Sequence, residues 1–600
     1  MQHRIRAFLG TAAAMVCGVL WAEPDIRYRV DLSQRAQQIV TIEVDVPVID
    51  GSADLVLPVW RPGRYGVLDF AATVREYTAF GTDGASIDVE KVRKNVWRLT
   101  TPRDSATFRY SIFADSLGDR TRHADDSHVF LSGSSVFVMS PPHRWTEHAV
   151  EIDVPDNWSV ATGLGISGEA WIAPNYDTLI DSPFEIGTHQ FHAFDVEGVR
   201  TEVVIYGDVD PDWDLIEDDF AKVARVQHQI FDGDVHFDRY VYIIHAYPGG
   251  RGGTEHLNST VCQTSPETFR DDDRWKRFMS LIAHEYFHTW NVKRFRPAEL
   301  VPYELAKEDY TRMLWLVEGS TSYYDDLTLV RGGIIDVDEY LDIIASSVSS
   351  IERRAGRQRS SLTESSFDAW MKFWGPSSPD HSNTSVNFYS HGAMASLALD
   401  LLIREASGGE ASYDSVMRWL NKRFQWQEKG YTFQDVVDAT NESAGEPMNW
   451  FFDRHITGRE LPPMERALLL AGIERVESND DPGVLFGATT VADAGGRRVT
   501  RLLAGSPAFE AGLNIDDVLV AIDGVSVVGQ GIDDALDGRS VGDTVSVVAL
   551  RREAVREFNI RLFAEAPRAF TYERIETPTE SQRAMYEAWL WQPWPEDGAE

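Results

Sequence analysis

The segment His284-Glu285-Tyr286-Phe287-His288 holds the residue types that metal-assisted hydrolysis needs. On a helix, positions four apart share a face, so both imidazoles can reach one cation while Glu285, beside the first, faces a water at its open position. Zinc takes nitrogen and oxygen ligands tetrahedrally, and a catalytic site leaves one position for that water. The competing reading is a chance match on a buried helix whose histidines bond to backbone. The five residues alone leave both readings open. A third ligand shifts the balance. Downstream, the run Leu314 to Tyr324 is apolar and small except for Glu318. A buried lone carboxylate is costly unless it is paired or ligates a metal. His284, His288 and Glu318 together make the ligand set of thermolysin-like zinc hydrolases, with one zinc per chain. His245, His256, His391 and His455 lack metal-ligand spacing and read as ordinary polar or supporting histidines.

These residues must be held by helices. From about Asp210 apolar residues recur at helical spacing: Trp275, Phe278, Met279 and Ile282 follow Asp271-Asp272-Asp273, whose charge suits a helix N-terminus. Further helices are predicted at Thr311 to Tyr324, Val337 to Ile351 and Ala393 to Ala406, and after a capping Thr432. One apolar strand, Tyr240 to Ile244, precedes the turn Pro248-Gly249-Gly250-Arg251-Gly252-Gly253. Before this region, from Ile26 to Tyr206, apolar and polar residues alternate as in Val40-Thr41-Ile42-Glu43-Val44, which means strands with one buried face. After Leu461-Pro462-Pro463 strands return, at Gly483 to Gly487, Arg498 to Leu502, Val518 to Ile522 and Val545 to Leu550, and a last helix carries Met585, Trp589 and Leu590.

The predicted fold class is therefore multidomain α+β. Residues 1–22 read as a signal peptide, 23–207 as a β-rich domain, 208–463 as a mostly helical catalytic domain with a small sheet, 464–568 as a third domain and 569–600 as a helical tail. The leader reading rests on Arg4 and Arg6, the apolar run Ala7 to Leu20 and Ala22 before the cleavage point, with an uncleaved anchor as its rival. It implies an exported protein, periplasmic or secreted. No other stretch is apolar enough to span a membrane. Removal of the leader takes Cys17 and leaves Cys262 alone, so no disulfide framework is expected. With 57 Lys and Arg against 94 Asp and Glu, the net charge of −37 and the lack of any basic run exclude nucleic acid as a partner.

The sequence resembles the glycyl aminopeptidase family of PDZ-bearing zinc metallopeptidases, distant relatives of aminopeptidase N. The likeness rests on His284 to Arg294, Glu318-Gly319, Gly252-Gly253-Thr254-Glu255-His256-Leu257-Asn258-Ser259, Trp60-Arg61-Pro62-Gly63-Arg64-Tyr65 and Phe451-Phe452-Asp453-Arg454. The resemblance implies that Glu255, with Gly252 and Gly253 on an edge strand, holds the free α-amine of a peptide. The alternative is a glycine turn with a solvated glutamate. His256 follows Glu255 where aminopeptidase N has Asn. The resemblance also implies that Tyr389 donates to the tetrahedral oxyanion, against a plain core tyrosine, although His391 stands where many relatives have Lys. Gly505 to Leu519 resembles the PDZ signature, with Gly483 to Gly487 as the loop that would cap a peptide C-terminus. Such a module either binds that terminus or merely braces its neighbour.

Read together, these features predict a zinc aminopeptidase with Glu285 as general base, Gly and Ala being the preference the family implies. A zinc endopeptidase follows instead if Glu255 faces away from the cleft. A non-catalytic peptide-binding scaffold follows if no metal is held.

Overall fold

The computed structural model describes residues 26–595 except 375–377, 426, 479–482 and 566–568. The leader predicted at 1–22 lies outside the described residues. No helix among them is long and apolar enough to cross a membrane.

The alternating N-terminal sequence folds into two sheets. A ten-stranded sheet runs from Gly165–Ser167 at one edge to Ser52–Val56 at the other, with Ile26–Asp31 and Ile39–Pro47 at its centre. Along Ile39–Pro47, Val40, Ile42, Val44 and Val46 are all buried, as period-two alternation requires. A five-stranded sheet joins Ser159–Ala161, Phe184–Gly187, His128–Leu131, Arg122–Ala124 and Asp115–Ser116.

A third sheet carries the catalytic region. Its order is Gln190–Val196, Val199–Tyr206, Arg239–Ala246, Ser259–Thr264 and Gly252–Glu255, parallel through the middle three strands and antiparallel at both edges. The hairpin 190–206 therefore pairs with the catalytic sheet, although the boundary predicted at 207 puts it in the first domain. Alternation marks a strand without naming its partner, and here the partner, Arg239–Ala246, lies beyond a long helix, Trp213–Ile230.

The helices largely follow prediction. Asp272–Phe287 starts at Asp271, whose side chain accepts a bond from the Arg274 amide, and it buries Trp275, Phe278, Met279 and Ile282. The predicted helix at 311–324 begins at Leu314 and runs on to Arg331. Amide bonds from Glu318 to Leu314 and from Ser322 to Glu318 carry the ladder through Glu318. Phe388–Ala406 crosses the following turns so closely that a Cβ on Gly319 would overlap the backbone of Gly392.

A separate small core holds the C-terminal six-stranded sheet, with Val499, Leu519, Ile522, Val545 and Val547 buried in it. Residues 464–473, predicted within this module, join the main core instead through Met464, Ala467, Leu468 and Ile473. The strand Ile473–Glu477 pairs with Phe570–Arg574, so the predicted helical tail begins as a strand before its helix Glu580–Leu590. Trp589 and Leu590 are fully buried, and the Trp589 indole donates to the Tyr323 hydroxyl at 3.1 Å.

Candidate active site

The helix Asp272–Phe287 delivers His284 and Glu285 near its end and His288 as the capping residue. Glu318 comes from the following helical turns. The three predicted ligand atoms converge: His284 Nε2 lies 3.1 Å from His288 Nε2, and Glu318 Oε2 lies 3.6 Å and 3.4 Å from those two nitrogens. The opposite ring nitrogens are already committed. His284 Nδ1 lies 3.0 Å from Asp325 Oδ2, and His288 Nδ1 lies 2.8 Å from the Asn291 carbonyl. Acceptors at Nδ1 fix the tautomer that leaves each Nε2 lone pair free to ligate. Asn291 is itself tied down, its amide donating to the carbonyls of Leu316 and Val317 and to Thr321 Oγ1.

Burial works against charge throughout this cluster, and the net shifts show what offsets it. Burial raises the Glu285 carboxyl to about 7 despite the two histidines, and its Oε2 is buried without a hydrogen-bond partner. Glu318 goes the other way. Burial would raise it, but hydrogen bonds to His284 and His288 hold it low. Burial likewise opposes charge on Glu255, and Lys293, His288 and Arg61 lower it overall. Tyr389, pushed up by burial, stays a protonated phenol.

The edge strand Gly252–Glu255 closes the site from the sheet side. Glu255, Glu285 and His288 each bring a donor atom within 4.8 Å of the others'. The backbone at Gly253 passes so near that a Cβ would overlap the Glu285 carboxylate. The N-terminal domain closes the opposite wall. Gly63, at φ +90°, lies where a Cβ would overlap the Glu255 carboxylate, so both its conformation and its position demand glycine. Trp60 anchors that loop by donating to the Glu304 carbonyl at 2.8 Å and by stacking edge-on against Trp370. Arg120 donates to the Gly253 carbonyl at 2.8 Å and meets Asp119, which also accepts from Thr254 at 3.0 Å.

Seven of the eight predicted site residues line one cleft of about 450 Å³: Gly253, Glu255, His284, Glu285, His288, Glu318 and Tyr389. Gly252 is the exception. It sits one residue back on the strand at φ +94°, and the nearest atom to a Cβ there would be Asp119 Oδ2. Tyr389 is the second residue of its helix, its amide capped by Asn387, and its ring stacks on Phe373. His256, expected to be an ordinary polar or supporting histidine, reaches across to the N-terminal domain. With Lys293 and the Leu257 amide it holds Asp181 of the N-terminal domain, at 3.2, 2.6 and 2.9 Å.

Sequence reasoning missed Asp325, Arg120 and the aromatic pair Phe373 and Trp374. Asp325 left a signal, because it lies two turns after Glu318 on the same helical face. Arg120 left none. It reaches the cleft only because the N-terminal sheet folds back onto the catalytic one.

Residues 277–395 match the family model of the M61 glycyl aminopeptidase, and residues 27–188 match that of the Peptidase M61 N-terminal domain. With the ligand geometry above, the molecule is a zinc metallopeptidase. It matches both M61 domain models, the N-terminal one and the glycyl aminopeptidase one. Among solved structures it is similar to an aminopeptidase N family protein from Idiomarina loihiensis, at 29% identity and a TM-score of 0.88, with 94% of this chain and 100% of that chain covered. An M1 zinc metallopeptidase from Deinococcus radiodurans also matches, at 15% identity and a TM-score of 0.46 over 73% of this chain and 94% of that chain, a likeness too distant to carry an argument. No curated protein matches the sequence.

Proposed function

We propose that the chain is an exported zinc aminopeptidase that removes small N-terminal residues, Gly and Ala foremost, from peptides. One observation carries the exopeptidase reading: the buried carboxylate of Glu255 ends the edge strand within 4.8 Å of donor atoms of Glu285 and His288. A fixed carboxylate there would meet an ammonium by a charge-assisted hydrogen bond and so select chain ends.

The donor set fits zinc. Two imidazole Nε2 atoms and one carboxylate oxygen converge, with their tautomers set by Asp325 and the Asn291 carbonyl. Bound there, zinc supplies Lewis acidity for the scissile carbonyl and lowers the pKa of water. Glu285, next to the ligands and without a partner for its Oε2, takes the proton from the attacking water and returns it to the leaving amine. Tyr389, kept protonated, donates to the oxyanion. Arg120 and Gly63 hold the edge strand and Glu255 in register with these groups.

The C-terminal sheet, with Phe486 buried behind the Val484–Leu485 strand, supports the PDZ-like reading, whose ligand would be a peptide C-terminus.

The test is substrate blocking. A glycyl or alanyl chromogenic substrate should be cleaved, and its N-acetylated form should not. Equal cleavage of both would make the enzyme an endopeptidase.

A further inference from the structure

A second histidine and carboxylate cluster lies away from the cleft, where the five-stranded N-terminal sheet packs on the catalytic sheet. His128 comes from the strand His128–Leu131, Glu185 from the neighbouring Phe184–Gly187, and His245 from Arg239–Ala246 across the interface. All three side chains are completely buried. Glu185 Oε2 lies 3.0 Å from His245 Nε2, and Glu185 Oε1 lies 3.9 Å from His128 Nε2. One donor atom from each residue falls within 4.8 Å of the other two.

The hydrogen bonding of this cluster is incomplete. Neither ring nitrogen of His128, nor His245 Nδ1, nor Glu185 Oε1 has a hydrogen-bond partner. Buried polar atoms left unpaired cost roughly 1–3 kcal/mol each, and a cation in this cluster would take two of the four, His128 Nε2 and Glu185 Oε1. Aromatic rings pack on both histidines: Phe130 meets His245 edge-on at 4.8 Å, and Tyr206 stacks on His128 at 3.6 Å. No Lys or Arg among the described residues hydrogen-bonds the Glu185 carboxylate.

We infer that His128, Glu185 and His245 form a second divalent-metal site, one that clamps the N-terminal domain to the catalytic sheet. Two ligands about 2.0–2.1 Å from a tetrahedral zinc stand about 3.3 Å apart, between the two separations found here. A fourth position is open to His123 or to water. The His123 ring lies 4.9 Å from that of His128, and its Nε2 is held by Asp125 at 2.9 Å. With all three donors buried, the site holds two domains together rather than turning over substrate. It raises the expected metal content from one ion per chain to two.

The deciding experiment uses the full chain with its catalytic ligands replaced, His288→Ala with Glu318→Ala, so that only the second cluster can hold metal. After loading with Zn2+ or Co2+ and exhaustive dialysis, metal analysis should find one equivalent, and the cobalt form should show the absorption of a low-coordinate nitrogen and oxygen site. Saturating Zn2+ should also raise the Tm of this variant. Adding Glu185→Gln should remove the equivalent, the cobalt spectrum and the Tm shift together. If the combined variant does not fold, His245→Gln in the same background is read instead. A folded catalytic-ligand variant that retains no metal would overturn the inference, as would an equivalent that survives both second-site substitutions.

Discussion

The cluster at His284, His288 and Glu318 and the cluster at His128, Glu185 and His245 use the same donors, two imidazoles and a carboxylate, in opposite settings. In the first, both histidines come from one helix end and their remaining nitrogens are satisfied by Asp325 and the Asn291 carbonyl. The ligand atoms stand 3.1–3.6 Å apart beside a cleft of about 450 Å³. In the second, every donor comes from a different strand of two sheets, and all three are sealed from solvent. The difference separates reacting from holding. A cleft next to an unpaired carboxylate suits turnover, whereas a closed set spanning two domains suits cohesion.

The largest effect that would sharpen this contrast is at the base. Glu285→Gln should lower kcat by about 10²–10⁴-fold while metal content stays unchanged, because general acid–base catalysis is worth that much. Steady-state kinetics with metal analysis on the same sample checks it. Next comes amine recognition: Glu255→Gln should cut kcat/KM for a free-amine substrate by about 10²-fold, the cost of truncating one partner of a buried charge pair. A variant that kept wild-type kcat/KM would remove Glu255 from substrate binding. Asp325→Asn should weaken zinc affinity by about 10–100-fold, as loss of an outer partner of a ligating histidine does, and competition with a chelator measures it. Smallest is the effect of the second cluster on chemistry. Glu185→Gln should lower the Tm yet leave kcat/KM within about twofold, since it removes nothing made in the transition state. A large loss of kcat/KM with an unchanged Tm would break the division between the two clusters.

The two clusters also explain what could be read from sequence. His284, Glu285 and His288 were legible because helical spacing alone puts them on one face, and Glu318 because a carboxylate in an apolar helical run needs a reason to be there. Glu255 and Tyr389 carry no such local signature, and only the family resemblance pointed to them. Their places in the cleft depend on an edge strand and a helix start that meet only in three dimensions. His245 has no ligand spacing in the sequence, since its neighbour Glu185 is 60 residues away on another sheet. The same limit applied to the fold. Alternation marked the strands of 190–206 but not the sheet they join, and helical periodicity at the C-terminus did not reveal the strand Phe570–Arg574 ahead of it.

The proposed chemistry is hydrolysis from a free N-terminus with a metal held at His284, His288 and Glu318. Its most direct test compares a glycyl or alanyl chromogenic substrate with its N-acetylated form, before chelation, after chelation and after Zn2+ is restored. The free-amine substrate alone should be cleaved, with activity lost with the metal and recovered with zinc. Cleavage that persists in metal-free protein, or that ignores the acetyl group, would contradict it.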